Sequence, residues 1–333
     1  MSRAAILSFS ERGGETASRV AAALAADYAV ERYAPKCNLR PLTARLFPEV
    51  EALVFVGACG IAVRAIAPHL VNKAVDPAVL VIDEHGGFVI SLLSGHIGGA
   101  NALACRVAGA IGATPVITTA TDVNRRFSAD AWAARKGLAI EDMAAAKRFS
   151  AEILRRDLPL FSEFPVEGRL PAGLVPGDAG DCGLAISCRG AHPFDTTLLL
   201  IPRVLHVGVG CKRGVTQESV GKAVRTALEG AGLRPEAAAS VSSIDVKRDE
   251  AGLRGWAEET GLPLNFYSAQ ELSEVPGAFT GSEFVKSTVG VDNVCERAAA
   301  RAAGEGARLL VRKTCLNGVT VAVALQKWSV CFE

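Results

Sequence analysis

Residues 91–101 read Ser91-Leu92-Leu93-Ser94-Gly95-His96-Ile97-Gly98-Gly99-Ala100-Asn101, and this stretch decides how the first third of the chain folds. The run Phe88–Leu93 suits a buried strand. Ser94-Gly95-His96 interrupts it. Ile97, Ala100, Ala104, Val107 and Ile111 then recur three or four apart, the stripe of a helix packed on a sheet. Strand, glycine hinge and helix together make a βα step. Upstream, Ala4–Phe9 reads as a strand followed by a helix over Thr16–Ala26. Ala52–Val56 reads as a second strand, leading through Gly57-Ala58-Cys59-Gly60 into a helix carrying Val63, Ile66 and Ala67. Val79–Ile82 and Phe88–Leu93 flank Asp83-Glu84-His85-Gly86-Gly87, a hairpin or tight-turn signal. Pro115–Thr118 supplies a further strand. The alternation predicts an N-terminal α/β domain over residues 1–137 with a mainly parallel sheet.

The character changes near residue 138. An amphipathic helix over Glu141–Arg156 is followed by PVEGRLPAGLVPGDAGDCG, dense in Pro and Gly, so residues 138–203 read as a small, irregular, linker-like middle segment. A C-terminal α/β domain is expected over 204–333. It opens with a strand at Val204–Val207 and a helix at Ser219–Ala231. Strands at Ser240–Ile244 and Leu264–Tyr267 follow, then a small-residue helix at Asn293–Ala303. Leu309–Arg312 and Val319–Leu325 flank Asn317-Gly318 and close it as a hairpin.

The composition is half hydrophobic, and 36 basic against 35 acidic residues leave a net charge of +1. That balance argues against a general nucleic-acid or anionic-membrane binder. The N-terminus lacks a signal-peptide core and no apolar run reaches the ~18 residues of a membrane span, so a soluble cytoplasmic protein is expected. Nine cysteines without a CxxC read as small buried thiols in a reducing compartment rather than as zinc ligands or disulfides.

In open α/β sheets ligands bind beyond the carboxyl ends of the strands. Three first-domain strands run into polar loops: Gly57–Gly60 with Arg64 one turn on, Ser94-Gly95-His96, and Thr119-Ala120-Thr121-Asp122. As parallel neighbours they would share one edge and bring His96 to Asp122. An imidazole oriented by a carboxylate can take a proton from water near pH 7. Free N–H groups around Gly98 and Gly99 could hold an oxyanion. The structural alternative stays open: Ser94 and Asp122 as caps, His96 as a satisfied turn residue. Ser94 is not a nucleophile elbow, because Leu92 and His96 stand where that motif needs glycine.

Gly208-Val209-Gly210-Cys211-Lys212-Arg213-Gly214 invites a dinucleotide reading, with Glu229 about twenty residues on, but its third glycine falls one place late for GxGxxG. Asp245, the other candidate for the ribose, follows too far downstream. An anion site at a helix start or a purely structural turn fits equally well. Lys73, Lys247 and Lys286 recur at element ends, where they could hold carboxylates of a polyanionic substrate or simply be solvated.

Several of these stretches resemble one family. Lys73…Asp76-Pro77-Ala78-Val79, Val81-Ile82-Asp83-Glu84, ISLLSGHIGGANALA and VITTATDV are similar to the N-terminal part of the cobalt-precorrin-5A hydrolase family (CbiG) of anaerobic cobalamin biosynthesis. HVGVGCKRG, SSIDVKRDEAGL, FYSAQEL and FVKSTVGVDNVCERAAA resemble its C-terminal domain, which also exists as a separate protein. The resemblance covers roughly residues 50–135 and 204–325. His69 departs from it, standing where members often carry an apolar residue, and reads as a surface feature.

The resemblance implies a hydrolase that opens the δ-lactone of a ring-contracted cobalt corrinoid and releases acetaldehyde to give cobalt-precorrin-5B. The cobalt travels with the substrate, so no cofactor and no protein metal site are expected. On this chemistry His96, oriented by Asp122, is the expected base for water, with Lys286 as a further catalytic candidate. Substrate contacts are expected from Gly60, Arg64, Lys73, Ser94, Gly98, Gly99, Asn101, Thr119 and Thr121. In the last domain they are expected from Gly208, Gly210, Cys211, Lys212, Lys247 and Ser287. Expected partners are the corrinoid, neighbouring pathway enzymes in transient contact, and a second copy in a homodimer, with neither nucleic acid nor membrane. Two other readings compete: a non-catalytic corrinoid carrier or scaffold, and an NAD(P)-dependent reductase built on GVGCKRG.

Overall fold

Two runs, Ala52–Val56 and Ala78–Ile82, are buried at every position. Strands covered on both faces carry no polar alternation, as in parallel sheets with helices on each side. In the computed structural model, which describes residues 1–34, 38–72 and 75–332, these runs lie at the centre of a six-stranded sheet. The elements of this part are β1 (Ser2–Ser8), α1 (Glu11–Leu24), β2 (Tyr28–Tyr33), α2 (Leu39–Leu46), β3 (Ala52–Val56), α3 (Cys59–Ile66), β4 (Ala78–Ile82), β5 (Phe88–Leu93), α4 (Ala100–Ile111), β6 (Thr114–Val116), α5 (Ala120–Val123) and α6 (Ala129–Lys136). They form the first of two compact units, Met1–Lys136 with Ile153–Arg156; the rest of the described chain forms the second.

The strand order is β2-β1-β3-β4-β5-β6. Successive side chains on a strand point to opposite faces. Ile6, Val54 and Leu80 therefore share one face with Val20 of α1 and Val107 of α4. Leu7, Phe55 and Val81 share the other with Leu46 of α2 and Ile66 of α3. Helices thus cover both faces. Strand β2 and helix α2 were not expected from the sequence. β2 is an edge strand of alternating partial exposure that carries Glu31 and Arg32, so its apolar signal is thin.

All neighbours in this sheet are parallel except β4 and β5. The reversal is built by Asp83, whose carboxylate accepts from His85 N (2.9 Å) and Phe88 N (2.6 Å), with Gly86 at φ +69. One consequence corrects the sequence reading. Leu93 pairs with Val79 near the start of β4, whereas Val56 pairs with Ile82 at its end. The loop after β3 therefore lies on the opposite sheet edge from the loops after β5 and β6. Only the latter two meet.

The second unit contains β7 (Ala139–Ile140), α7 (Met143–Ile153, whose last residue belongs to the first unit), β8 (Leu158–Ser162), β9 (Val166–Glu167), β10 (Leu174–Pro176), β11 (Cys182–Ile186) and β12 (Thr196–Ile201). Four of its strands are parallel in the order β10-β8-β11-β12, and β7 adds an antiparallel edge. The segment expected to be irregular thus carries a five-stranded sheet. Its signal was hidden because Pro159 interrupts β8, β10 has three residues, and β11 is buried at all five positions and shows no alternation.

The chain continues through β13 (Leu205–Cys211), α8 (Gln217–Gly230), β14 (Ala238–Ile244), α9 (Ala251–Thr260), β15 (Leu264–Tyr267), α10 (Ala269–Ser273), α11 (Glu283–Val289), α12 (Cys295–Ala303), β16 (Arg308–Leu316), β17 (Val319–Leu325) and β18 (Val330–Cys331). The sheet order is β15-β14-β13-β17-β16, with β13, β14 and β15 parallel. β16 and β17 form the closing hairpin, turning on Asn317 (φ +50) and Gly318 (φ +78), the two positive values that a type I′ turn demands. β18 pairs with β9. Eight cysteines lie among the described residues. Three are buried as expected, while Cys105 and Cys315 are exposed. No helix among the described residues is long and apolar enough to cross a membrane.

Candidate active site

The loop after β5 folds tightly on itself before α4 begins. Ser94 takes a left-handed backbone (φ +57), and its hydroxyl donates to the Asp76 carbonyl at 3.0 Å. Gly99 N donates to His96 O, Ala100 N to Ser94 O and Asn101 N to Gly95 O. The glycines answer to this folding. A Cβ on Gly95 would lie 2.7 Å from Asn101 Oδ1, and one on Gly98 would lie 2.4 Å from Ser94 Cβ. Close approach by the protein itself, not by a ligand, therefore requires them. The Gly99 N–H, expected to hold an oxyanion, is already engaged by His96 O. The Gly98 N–H remains a candidate donor.

His96 leaves this loop toward the loop after β6. Its Nε2 lies 2.9 Å from Asp122 Oδ2 and 3.2 Å from Thr121 Oγ1. Asp122 Oδ2 also accepts from Thr119 Oγ1 (2.6 Å) and Asn101 Nδ2 (3.1 Å), and Asn101 donates to Thr119 as well. The expected group of His96, Asp122, Asn101, Thr119 and Thr121 is thus assembled. Asp122 Oδ1 accepts from no described residue, and this side chain is 43% exposed. On the other side of the ring, His96 Nδ1 lies 3.3 Å from Oδ1 of Asp130, a buried carboxylate that the sequence reading missed.

Ionised carboxylates only accept hydrogen bonds. A carboxylate at each nitrogen favours the imidazolium, while a hydroxyl donated by Thr121 to Nε2 would satisfy a neutral ring. The Asp130 hydrogen bond accordingly raises the His96 pKa above the ordinary imidazole value; burial opposes this, and Asp122 adds to the rise. Burial pushes Asp122 up, but donation from Thr119, His96 and Asn101 together with the His96 charge holds it below the usual carboxylate value. Both carboxylates thus favour the protonated ring at His96, against the opposing effect of burial.

This group opens on a cleft of about 410 Å³ whose walls include Gly95, His96, Gly99, Asn101, Cys105, Asp122, Val123, Ala131 and Arg135. Arg135 was also missed. It stands one turn after Ala131 on the same face of α6 and has no carboxylate partner among the described residues. Gly60 and Arg64 lie on the far sheet edge, the guanidinium folded back to within 3.4 Å of where a Gly60 Cβ would sit, and they do not reach the cleft. Lys73 lies outside the described residues. His69 is half-buried against Phe47, with ring centroids 6.0 Å apart.

The remaining candidates belong to the second unit. A Cβ on Gly208 would fall 1.8 Å from the Cys295 carbonyl, and one on Gly210 would fall 2.6 Å from Thr320 Oγ1. These glycines make room for α12 and β17, so the dinucleotide reading loses its basis. Lys247 pairs with Glu250 at 3.5 Å, and Glu250 accepts from Gly214 N at 2.7 Å, tying together the loops after β13 and β14. Cys211 stands beside this pair, its thiol pKa raised chiefly by burial. Lys212 and Lys286 are exposed. The Ser287 hydroxyl donates to the Phe284 carbonyl of its own helix. The stretch Val291–Arg297 is a clamp. Buried Glu296 accepts from Thr280 N, Thr280 Oγ1 and Lys313 N (2.8–2.9 Å), Asn293 donates to Thr280 O, and Arg297 pairs with Asp292 at 2.8 Å.

Fold and cleft together define an α/β protein with a carboxylate–histidine–carboxylate array on the edge of a mainly parallel sheet. Residues 41–122 match the family described as Cobalamin synthesis G N-terminal, and residues 205–324 the one described as Cobalamin synthesis G C-terminus. The chain is 38% identical over 272 residues to the cobalt-precorrin-5A hydrolase of Salmonella typhimurium, covering 77% of this chain and 78% of that one. It is 32% identical over 308 residues to the cobalt-precorrin-5A hydrolase of Priestia megaterium, covering 86% and 82%. Protein CobE of a Sinorhizobium species is 33% identical over 136 residues, 40% of this chain and 87% of that one. The chain belongs to the cobalamin synthesis G family.

Proposed function

We propose that this chain is a hydrolase of cobalamin biosynthesis acting on cobalt-precorrin-5A. It opens the δ-lactone of the ring-contracted corrinoid and releases the two-carbon unit at the extruded meso position as acetaldehyde, leaving cobalt-precorrin-5B. The observation that carries the reading is the His96 array at an open cleft, in a chain whose relatives over most of its length bear that hydrolase name.

Each group has a task in such a reaction. Asp122 Oδ1 takes a proton from water as the water attacks the lactone carbonyl. The Gly98 N–H and the His96 charge stabilise the oxyanion. As the intermediate collapses, His96 gives its proton to the departing ring oxygen, which becomes a hydroxyl. Neutral His96 then takes that proton back while the carbon–carbon bond breaks in a retro-aldol sense. Acetaldehyde leaves, and the electron pair passes into the conjugated macrocycle, which is protonated in turn. The cobalt is part of the substrate. Arg135 holds a carboxylate arm of the corrinoid in the place earlier given to Arg64, and the cleft takes the lactone-bearing edge of the ring. Lys212, Lys247 and Lys286 remain candidates for other arms. The reaction is assigned to the cytoplasm.

The test is anaerobic incubation of the purified protein with cobalt-precorrin-5A and trapping of the aldehyde. One acetaldehyde per corrinoid is expected, with His96→Ala inactive. Tight corrinoid binding without aldehyde would replace the reading with that of a carrier.

A further inference from the structure

We infer that Asp130 is a positioning residue of this site: it grips Nδ1–H of His96, turns Nε2–H toward Asp122 and the cleft, and supplies the negative charge behind the imidazolium. The inference deepens the hydrolase reading, and its kinetic part rests on that reading.

The geometry separates the two carboxylates by task. Asp122 stands on a four-residue helix and its side chain is 43% exposed, while the Asp130 side chain is 6% exposed. Solvent and substrate screen a charge at Asp122; a buried charge at Asp130 is screened far less. Asp130 is also held in place independently of His96. It lies in the first turn of α6, and its Oδ1 accepts from Ser128 Oγ at 2.8 Å and from Ala131 N at 3.0 Å. The helix dipole favours a negative charge at such a position. The carboxylate that faces substrate can thus change its hydrogen bonds during the reaction while the one behind the ring stays fixed. The titratable groups around His96 are Asp122 on α5, Asp130 and Arg135 on α6, and Cys105 on α4. Of these, Asp130 contributes most to the imidazolium, ahead of Asp122.

An Asn at 130 keeps an oxygen for Nδ1–H, Ser128 and Ala131 but removes the charge, so it separates positioning by charge from helix capping. The first measurement is an NMR titration of the wild-type protein labelled with ¹⁵N-histidine, with His96→Gln assigning the resonance among the five histidines. Both His96 nitrogens should be protonated at neutral pH. A neutral His96 there overturns the inference without any variant having to fold. In Asp130→Asn the midpoint should fall by about one unit or more. The alkaline limb of the pH–rate profile should move with it, kcat at about pH 8 should drop roughly tenfold, and KM should stay within about twofold. An unchanged midpoint, or equal losses in Asp130→Asn and Asp130→Ala that follow the melting temperature, would make Asp130 a cap alone. The titration needs no substrate, so failure of the aldehyde assay and failure of this inference are read separately.

Discussion

His96 in the first unit and His206 in the second are each held at both ring nitrogens, with opposite results. His206 on β13 is buried, with Nδ1 2.8 Å from Ser240 Oγ and Nε2 2.9 Å from Gln326 Oε1. A hydroxyl can donate to one nitrogen and an amide oxygen accept from the other, so the neutral ring is fully satisfied. Burial lowers its pKa, with the Gln326 hydrogen bond opposing. His96 faces a carboxylate at each nitrogen, with the Thr121 hydroxyl also at Nε2, beside an open cleft, and its pKa rises, Asp130 first among the causes. A network with every valence spent indoors is scaffold. A network that keeps a charge and a free carboxylate oxygen at an opening can do chemistry.

The sharpest way to break this comparison is to delete each ring. His96→Ala should lower acetaldehyde release by roughly 10²–10⁴-fold, the usual weight of a proton-transfer group, with a melting temperature close to wild type. His206→Ala should leave turnover per folded molecule within about twofold. It should cost about 2–4 kcal/mol in urea unfolding, because it opens a cavity and strands Ser240 and Gln326. Loss of turnover in His206→Ala without loss of stability would show that the second histidine is more than scaffold.

A smaller effect distinguishes the two by sign. The folded pKa of His96 is raised, so its contribution to stability is complete below the unfolded value of about 6.5 and is lost as pH rises through the higher folded value. The folded pKa of His206 is lowered, so the native state prefers the neutral ring. Its contribution is complete above about 6.5 and is lost as pH falls toward the lower folded value. Urea midpoints at about pH 5 and about pH 8 should therefore show the wild-type advantage over His96→Gln shrinking toward alkali and that over His206→Gln shrinking toward acid. Parallel trends would mean that the two environments do not differ in the way described.

How much of this was legible depends on the kind of signal. Helices with apolar stripes and strands such as Ala52–Val56 and Leu264–Tyr267 stand out in the sequence, as does the Asn317-Gly318 hairpin. The middle sheet does not, because strands covered on both faces and broken by proline leave no period. The meeting of His96 with Asp122 follows from two strand ends sharing one edge. Asp130 and Arg135 lie beyond TTATD on a helix of weak amphipathicity, past the segment that ends at Asp122. Only the packing of α6 beside the loop after β5 reveals them. Ser128 two residues before Asp130 gives a helix start, and nothing in that pattern names a histidine partner. The motif in Val291–Arg297 teaches the converse: a dense polar stretch that resembles a family signature is there to clamp a loop.

Arg64 and Arg135 give the subtlest comparison, because the sequence favours the wrong one. Arg64 follows a polar loop at a strand's carboxyl end, where ligands usually bind, but the β4–β5 reversal puts that end on the far edge from His96. Arg135 carries no such sequence signal and lines the cleft. Arg135→Gln should raise KM roughly tenfold, the weight of one charge-assisted hydrogen bond to a carboxylate, with kcat within about twofold. Arg64→Gln should change neither. The steady-state assay on cobalt-precorrin-5A decides between them. If Arg64→Gln alone raises KM, the substrate engages the opposite edge of the sheet, and the His96 array is then scaffold like that around His206. If Arg135→Gln lowers kcat with KM unchanged, the guanidinium acts on the oxyanion rather than on a side arm, and the charge at the reacting carbonyl comes from α6 as well as from His96.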